Sequence, residues 1–170
     1  MSAAPSVTAP EHIDAHHDST AFDCGQPELD DWLRLQALGN EASGASRTYV
    51  ICAEGRVVGY YALATGAIAR AAATGRVRRQ MPDPVPVMII GRLAVDTRFQ
   101  GRGLGRALLR DALLRTLHVA AHAGIRAVLL HATTAEAKRF YERAGFRESP
   151  IDPMTLMITI ADVEKALAGS

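Results

Sequence analysis

The sequence is poor in cysteine and has no segment with the length and composition of a membrane span. Cys24 and Cys52 are the two cysteines among 170 residues, and their wide separation has no metal-ligand spacing, so we expect reduced, buried thiols. Neither a signal-peptide pattern nor a long uninterrupted apolar run is present. We therefore expect a soluble, cytoplasmic protein that makes no contact with a membrane.

A strong excess of charge is absent as well. The formal net charge is +1 at pH 7, which excludes a uniformly basic surface but allows a local basic patch. A hydrophobic content of 48% and a charged content of 22% are typical of a soluble globular protein. A chain of 170 residues suits a single domain, residues 1–170, with a sizeable core.

The segment Met1–Asp18 is predicted to form a short edge strand followed by a connector, and it holds His12, His16 and His17. Metal sites usually combine histidine with cysteine or carboxylate residues at fixed spacings, and that pattern is missing here. We therefore expect solvated histidines and no metal.

Apolar periodicity and turn residues divide the rest of the chain into helices and strands. Pro27 opens a predicted helix, and Asn40–Ser46 is predicted to be a loop. Thr133, with Glu136 three residues later, has capping-box spacing and predicts the start of another helix. The predicted strands are short apolar runs between glycine or polar residues: Thr48–Ala53, Val57–Ala64, Val87–Val95, Val128–His131 and Thr155–Ile160.

Gln100–Gly105 contains three glycines and lies between the run that ends at Val95 and a long helix-forming stretch, which Gly124 is predicted to end. Glycine permits positive φ and lets a ligand approach the main chain closely. Free N–H groups at the start of a helix bind phosphate, and Arg102 and Arg106 add positive charge there. The spacing differs from both the P-loop and the dinucleotide fingerprint. It predicts a loop that binds a pyrophosphate.

A second basic feature is a cluster of four arginines between Ile68 and Pro86, with no acidic residue before Asp83: Arg70, Arg76, Arg78 and Arg79. One interpretation is a solvated loop. The other is a phosphate-binding surface for an RNA substrate, because arginine engages phosphate through bidentate contacts.

Two motifs resemble the GNAT acetyltransferase superfamily. Gln100, Gly103 and Gly105 match its Q/R-x-x-G-x-G/A signature, and Ala137–Phe146 resembles its A-x-x-F-Y-x-x-x-G-F element. The resemblance implies an α/β fold with a mixed, mostly antiparallel sheet of six to seven strands. About four helices would flank that sheet, and splayed central parallel strands would form a cleft for acetyl-CoA as co-substrate. The residues implied to bind the coenzyme are Leu93, Ala94, Val95, Gln100, Gly101, Arg102, Gly103, Leu104, Gly105, Arg106, Thr133 and Phe140.

The resemblance also assigns the chemistry to Tyr141, whose phenol would donate a proton or hydrogen bond to the departing thiolate. Asp96, His131 and Glu136 are candidate bases, and none has a spacing that distinguishes it. An α-amino group has a pKa near 8 and is partly neutral at cell pH, so a dedicated base is not required. This favours an α-amine as acceptor.

A closer resemblance, over residues 22–160, is to the GNAT toxins of type II toxin–antitoxin modules. It implies acetylation of the free α-amino group of an aminoacyl-tRNA, which blocks translation, and a ribbon–helix–helix antitoxin as partner. Such toxins often form homodimers, so a homodimer is a further expectation. The segments that carry the resemblance are Cys24–Gly25, Leu29–Leu33, Thr48–Val50, Gly59–Ala64, Met81–Pro86, Gly91–Asp96, Gly101–Leu109 and Phe140–Phe146.

On this interpretation the arginine cluster and Arg92 hold the tRNA acceptor end, although Arg92 lies in an apolar strand and equally suits a structural partner. Two alternatives stay open. One is an acetyltransferase for a small amine or a protein amino group, and the other is a catalytically silent module that binds an acyl-coenzyme.

Overall fold

The computed structural model describes residues 5–169, so the first four residues of Met1–Asp18 lie outside the description. Seven strands follow the hydrogen-bonded order β1-β2-β3-β4-β5-β7-β6. The strands are β1 (Glu11–His12), β2 (Arg47–Ala53), β3 (Arg56–Ile68), β4 (Val85–Val95), β5 (Ala127–His131), β6 (Arg147–Glu148) and β7 (Thr155–Thr159). The helices are α1 (Pro27–Leu35), α2 (Ala37–Ser43), α3 (Gly75–Arg78), α4 (Leu104–Ala120), α5 (Ala135–Arg143) and α6 (Ile160–Ala168).

Within the described residues, one compact unit contains the chain up to Ala64 together with Arg92–Ala112. Its strands β1, β2 and β3 pair antiparallel. The core on one face of this unit is aromatic, because Trp32 stacks on Tyr60 with ring centroids 5.9 Å apart and Phe22 meets the same ring edge-on at 5.6 Å. Tyr60 is fully buried and satisfies its hydroxyl by donating to the Leu29 carbonyl at 2.7 Å.

The second compact unit contains Thr65–Gly91 and the described chain from Leu113 onward. Here β4 and β5 form a parallel ladder that covers Val87–Ile90 and Ala127–Leu130. Strand β5 also pairs antiparallel with β7, and β7 pairs antiparallel with β6. The buried side chains that hold α3 onto these strands are Ala73, Val77, Val85, Val87, Ala127 and Met157.

The predicted fold class is confirmed: the sheet is mixed and mostly antiparallel, with seven strands. The described residues form six helices where about four were predicted. Helix α6 had no counterpart in the prediction. It begins where Thr159 ends β7, and the Thr159 hydroxyl caps it by accepting from the Asp162 N–H at 3.1 Å.

Three local predictions are wrong. Asn40–Ser46 is helical up to Ser43, because Ala37 is buried and Gly44, in a left-handed conformation, supplies the helix end. The helix that Thr133 was predicted to cap is capped by Thr134, whose hydroxyl accepts from the Ala137 N–H at 3.0 Å. Adjacent threonines leave that choice open in the sequence. Helix α4 ends at Ala120, before Gly124, where it was predicted to end.

No helix in the described chain is long and apolar enough to span a bilayer.

Candidate active site

The glycine turn has the backbone geometry that a phosphate-binding loop requires. Gly101 and Gly103 both have φ of +79°, a conformation that side-chain-bearing residues rarely adopt. A Cβ atom added at either position would meet no described atom within 4 Å, so conformation and not crowding demands glycine there. Helix α4 begins one residue later, at Leu104. The loop therefore presents bare main chain beside the first unpaired N–H groups of a 17-residue helix.

Asp96 anchors the chain just before this turn. Its carboxylate is fully buried and accepts from the Asp23 N–H at 3.1 Å and from the Arg98 N–H at 2.9 Å. The Arg98 guanidinium donates two further hydrogen bonds to the same carboxylate, at 3.0 and 3.2 Å. Burial raises the pKa of Asp96, but these hydrogen bonds outweigh it, and the net pKa is lowered. A carboxylate so occupied is a scaffold for the loop rather than a base.

Gln100 completes the anchoring from the other side of the turn. Its side-chain amide donates to the Val95 carbonyl at 2.9 Å and to the Cys24 carbonyl at 3.3 Å. The Thr97 N–H also donates to the Asp23 carbonyl at 2.8 Å. The segment 23–25 is thus joined to residues 96–100 at three points. In this arrangement Gln100 positions the loop, and direct contact with the coenzyme stays a prediction.

The strand that leads into the loop carries the other predicted coenzyme contacts in this unit. Leu93 is half-buried, Ala94 and Val95 are buried, and their contact with a coenzyme stays a prediction. Arg92 places its guanidinium 4.5 Å from the centroid of the Trp32 ring, which gives it the structural partner considered above.

The two arginines of the turn differ in their surroundings. Arg102 lies 4.7 Å over the Phe99 ring, and Arg106 is exposed on the first turn of α4, beside Leu104 and the half-buried Gly105. Both guanidinium groups remain accessible to an anion, and no described carboxylate is paired with either.

Tyr141 lies on α5, in the other compact unit. Its side chain is buried, with 8% exposed, and packs edge-on against Phe140 at 5.0 Å and Phe146 at 5.7 Å. Burial raises the pKa of its phenol to about 12, and no described charge or hydrogen bond contributes to that shift. The phenol is therefore protonated at neutral pH and its hydrogen is not committed to a described acceptor.

Two further residues predicted to contact the coenzyme lie on α5 or just before it. Phe140 is half-buried beside Tyr141, and Thr133 is exposed just before the Thr134 cap. Of the candidate bases, Glu136 is exposed in the first turn of α5 and His131 pairs through Nδ1 with the Thr155 hydroxyl at 3.1 Å. The geometry singles out neither as a base.

The predicted arginine cluster spans a short helical region that the sequence suggested to be a loop. Arg70, Arg78 and Arg79 are exposed, whereas Arg76 is engaged with Asp162 through two hydrogen bonds of 2.6 and 2.9 Å. Arg126, which sequence reasoning missed, joins this group by donating to the backbone carbonyls of Val77 and Arg76 at 3.1 and 2.8 Å. No local signal marks Arg126, because its partners lie 49 and 50 residues away in the chain.

The histidines near the start of the chain are only partly solvated. The prediction is wrong for His17, whose side chain is 3% exposed, and it overlooked Glu11, whose carboxylate lies 2.7 Å from His17 Nε2. Glu11, His16 and His17 offer atoms within 4.8 Å of one another, a spacing that a metal ion tolerates. However, the Asp14 N–H donates to His17 Nδ1 at 2.9 Å, which places the proton of the neutral ring on Nε2, facing Glu11. Hydrogen bonding accounts for the contact between His17 and Glu11, and the expectation of no metal stays a prediction.

At this site a strand is followed by a left-handed glycine turn and then by the start of a helix, an arrangement that suits a phosphate-containing ligand in an α/β protein. The model of the acetyltransferase (GNAT) domain family matches residues 44–148, more than half of the chain, and the chain belongs to this family.

Two curated relatives and two solved structures narrow the comparison. A tRNA-acetylating toxin of Mycobacterium tuberculosis strain H37Rv is 52% identical over 162 residues, which cover 95% of this chain and 97% of the toxin. A probable toxin TacT of Sinorhizobium fredii is 28% identical over 89% of this chain and 90% of its own. A structure of AtaT complexed with acetyl-methionyl-tRNAfMet superimposes with a TM-score of 0.87 at 26% identity, covering 95% of this chain and 99% of AtaT. A structure of AtaTR bound with acetyl-CoA superimposes with a TM-score of 0.82 at 27% identity, and the match covers 95% of this chain and 98% of the other.

Proposed function

We propose that the protein is a toxin-type N-acetyltransferase that moves the acetyl group of acetyl-CoA onto the free α-amino group of an aminoacyl-tRNA and so blocks translation. The observation that carries the coenzyme half of this proposal is the pair of left-handed glycines, open to approach, at the start of α4. The acceptor half rests on the 52% identity to a tRNA-acetylating toxin over nearly the whole of both chains.

The coenzyme is held through its diphosphate. Backbone N–H groups of residues 101–105 donate to the phosphate oxygens, and Arg102 and Arg106 add positive charge beside them. Leu93–Val95 bond the pantetheine arm through their main chain, a mode that constrains backbone geometry more than side-chain identity. Gln100 and Asp96 keep the loop in this form, and Thr133 and Phe140 complete the contacts from α5 and its preceding turn.

The reaction requires a neutral amine and a donor for the leaving group. The amine nitrogen attacks the thioester carbonyl carbon, the C–N bond forms, and the C–S bond breaks with its electron pair passing to sulfur. The amine loses its proton to solvent, which an α-amino pKa near 8 allows without a dedicated base. The phenol of Tyr141 donates a proton or a hydrogen bond to the sulfur as negative charge develops on that atom. With a pKa raised to about 12 it stays protonated throughout the physiological range.

The arginines supply affinity for the RNA. Arg70, Arg78 and Arg79 are exposed and carry no described ion pair, so each is available to a backbone phosphate at little cost. Arg76 must share its guanidinium with Asp162, and Arg92 is stacked on Trp32, so we assign these two weaker shares of the tRNA contact.

The proposal also includes the partners of the protein. A point mutant of AtaT has been solved bound to the C-terminus of the antitoxin AtaR, with a TM-score of 0.83 to this chain at 26% identity. We therefore include an antitoxin as partner in the proposal. From the resemblance to toxins of type II modules we further propose that this antitoxin is of the ribbon–helix–helix type and that the protein is a homodimer with a single catalytic domain and a cytoplasmic location.

Transfer of radiolabelled acetyl from acetyl-CoA to purified aminoacyl-tRNA tests the function. We expect label in aminoacyl-tRNA and none in deacylated tRNA, because the acceptor is the amino group. Label in a polyamine or a protein amine, with aminoacyl-tRNA unlabelled, would contradict the proposal. Replacing Arg78 and Arg79 together with alanine is expected to raise KM for tRNA and flatten its salt dependence, and an unchanged salt dependence would return this segment to a solvated surface.

A further inference from the structure

Three arginines converge on one cavity in the unit that contains α3 and α6. The cavity has a volume of about 120 Å³ and is lined by Arg76, Arg79, Arg126, Thr159 and Ala161. A single water molecule needs only about 10–15 Å³ of such a cavity, so a tetrahedral oxyanion fits this space. Three of the five lining residues are arginines, so the cavity is surrounded by more positive than negative charge, which favours an anion.

Arg126 is fixed in place by the main chain of α3. Its Nε donates to the Val77 carbonyl at 3.1 Å and its Nη2 to the Arg76 carbonyl at 2.8 Å. A guanidinium has five N–H donors, so three remain for a ligand. The residue is also half-buried, which strengthens its interaction with an anion over that of a fully solvated side chain.

The charge at the cavity is only partly balanced. Asp162 accepts from Arg76 at 2.6 and 2.9 Å and neutralises one of the three cations. Within residues 5–169 the Arg79 guanidinium has no ion pair, so its full charge is available. Thr159 uses its hydroxyl oxygen to accept from the Asp162 N–H, which leaves the hydroxyl hydrogen to donate, and the Ala161 N–H lies at the start of α6 beside it.

We propose that this cavity binds one phosphate group of the substrate RNA, with Arg79 and Arg126 as its principal ligands. The inference rests on the proposed function and adds to it a defined phosphate subsite that includes a residue outside the predicted arginine cluster. A phosphodiester satisfies the remaining guanidinium donors and removes the repulsion between the cations. Free inorganic phosphate carries the same chemistry, so the experiment separates the two sources.

The experiment measures the Kd of tRNA by fluorescence anisotropy across a salt series, with acetyl transfer to aminoacyl-tRNA assayed in parallel. Arg79→Gln removes an unpaired charge, and Arg126→Lys keeps the charge but loses the planar fork. Arg147→Gln, an exposed arginine on β6, is the matched control. We expect Arg79→Gln to weaken binding equally for different tRNAs and to reduce the slope of log Kd against log salt by about 1. Arg126→Lys should weaken binding less, and the control should change neither quantity.

The outcomes are distinguishable. Unchanged tRNA binding and salt slope in both Arg79→Gln and Arg126→Lys, with normal thermal unfolding, would overturn the subsite even if acetyl transfer persists. Loss of the salt slope in a protein that acetylates no aminoacyl-tRNA would keep the subsite and refute the proposed function instead. Titration of inorganic phosphate while the Ala161 amide resonance is followed identifies the source. A shift there, with tRNA binding unaffected by either variant, would mean a site for free phosphate and would contradict the RNA assignment.

Discussion

The glycine turn and the arginine cavity both suit phosphate, but they are constructed in opposite ways. In the turn the donors are backbone N–H groups, and the side chains of Asp96 and Gln100 are spent on holding the main chain in shape. In the cavity the donors are side chains, and it is the main chain, through the carbonyls of Val77 and Arg76, that holds one of them in place. We expect the glycine turn to define the position of a bound ligand, whereas the arginine cavity selects a ligand mainly by its negative charge.

This difference has energetic consequences. A backbone loop depends on conformation, so a single added Cβ at a left-handed glycine disturbs it. The arginine cavity depends on side-chain charge, so replacing one arginine leaves the others to attract the ligand, and screening by salt weakens them all. We expect substitutions in the turn to act on coenzyme binding and substitutions near the cavity to act on RNA binding.

The largest expected effect comes from a residue in neither region. Tyr141→Phe removes one hydroxyl that has no described partner, so it should leave acetyl-CoA affinity and stability nearly unchanged. We expect kcat to fall by about 10²- to 10⁴-fold, the range for loss of a general acid. Steady-state kinetics and calorimetric titration of acetyl-CoA measure the two quantities. Tyr60→Phe, which removes a buried hydroxyl bonded to Leu29, is the control and should lower stability but not turnover. A Tyr141→Phe protein with normal kcat would remove this residue from the mechanism.

The backbone site is broken most directly by Gly103→Ala. A left-handed conformation costs a residue with a side chain about 1–2 kcal/mol. We expect the free loop of the variant to relax out of this conformation, so coenzyme binding must restore it and the cost weakens the affinity. We expect the Kd of acetyl-CoA to rise by about 5- to 30-fold, with any remainder of the cost appearing as lower stability. Gly39→Ala, at an exposed position of α2 where nothing lies within 4 Å, is the matched control. An equal rise in Kd in both variants would show that the effect is not local to the turn.

Asp96→Asn tests the support beneath the turn. The amide cannot accept all the hydrogen bonds that the carboxylate accepts, so we expect a loss of about 1–3 kcal/mol in the free energy of unfolding. Because the pKa of Asp96 is lowered in the folded protein, its contribution is present above the unfolded value near 3.9 and is lost as pH falls through the folded value. Denaturant melts of wild type and variant should therefore converge below pH 4. A constant difference at all pH values would assign the loss to packing instead.

The smallest effect is expected from Arg76→Gln. Its ion pair with Asp162 leaves 59% and 32% of the two side chains exposed, and such pairs contribute about 0–1 kcal/mol. Thermal melting should show a shift of no more than a few degrees at low salt and a smaller one at high salt. A shift that grows with salt would contradict this assignment.

Local signals in the sequence were sufficient to predict the glycine turn and the helix that carries Tyr141. Glycine spacing before an apolar helix and the F-Y pair on α5 are properties of neighbouring residues. The structure has both features in the predicted segments, although the cap of α5 and the end of α4 differ from the prediction. The sheet was predictable for the same reason, since its strands are short apolar runs with turns between them.

Features that depend on distant residues were not predictable. Asp96 was a candidate base, yet its carboxylate accepts from Asp23, 73 residues away, and serves the loop. Arg126 was not considered at all, because only the folding of α3 against β5 brings it to Arg76 and Arg79. The cap at Thr134 in place of Thr133 was decided by one hydrogen bond that two adjacent threonines could each have made.

The most direct test of the central claim compares two acetyl donors. S-acetylpantetheine carries the same thioester as acetyl-CoA but lacks the diphosphate, so the turn at Gly101 and Gly103 has nothing to bind in it. We predict that wild type has a far higher kcat/KM with acetyl-CoA, and that Gly103→Ala lowers kcat/KM for acetyl-CoA while leaving the value for S-acetylpantetheine unchanged. An equal loss with both donors, or a wild type that does not distinguish them, would contradict the claim that the backbone of this turn holds the coenzyme diphosphate.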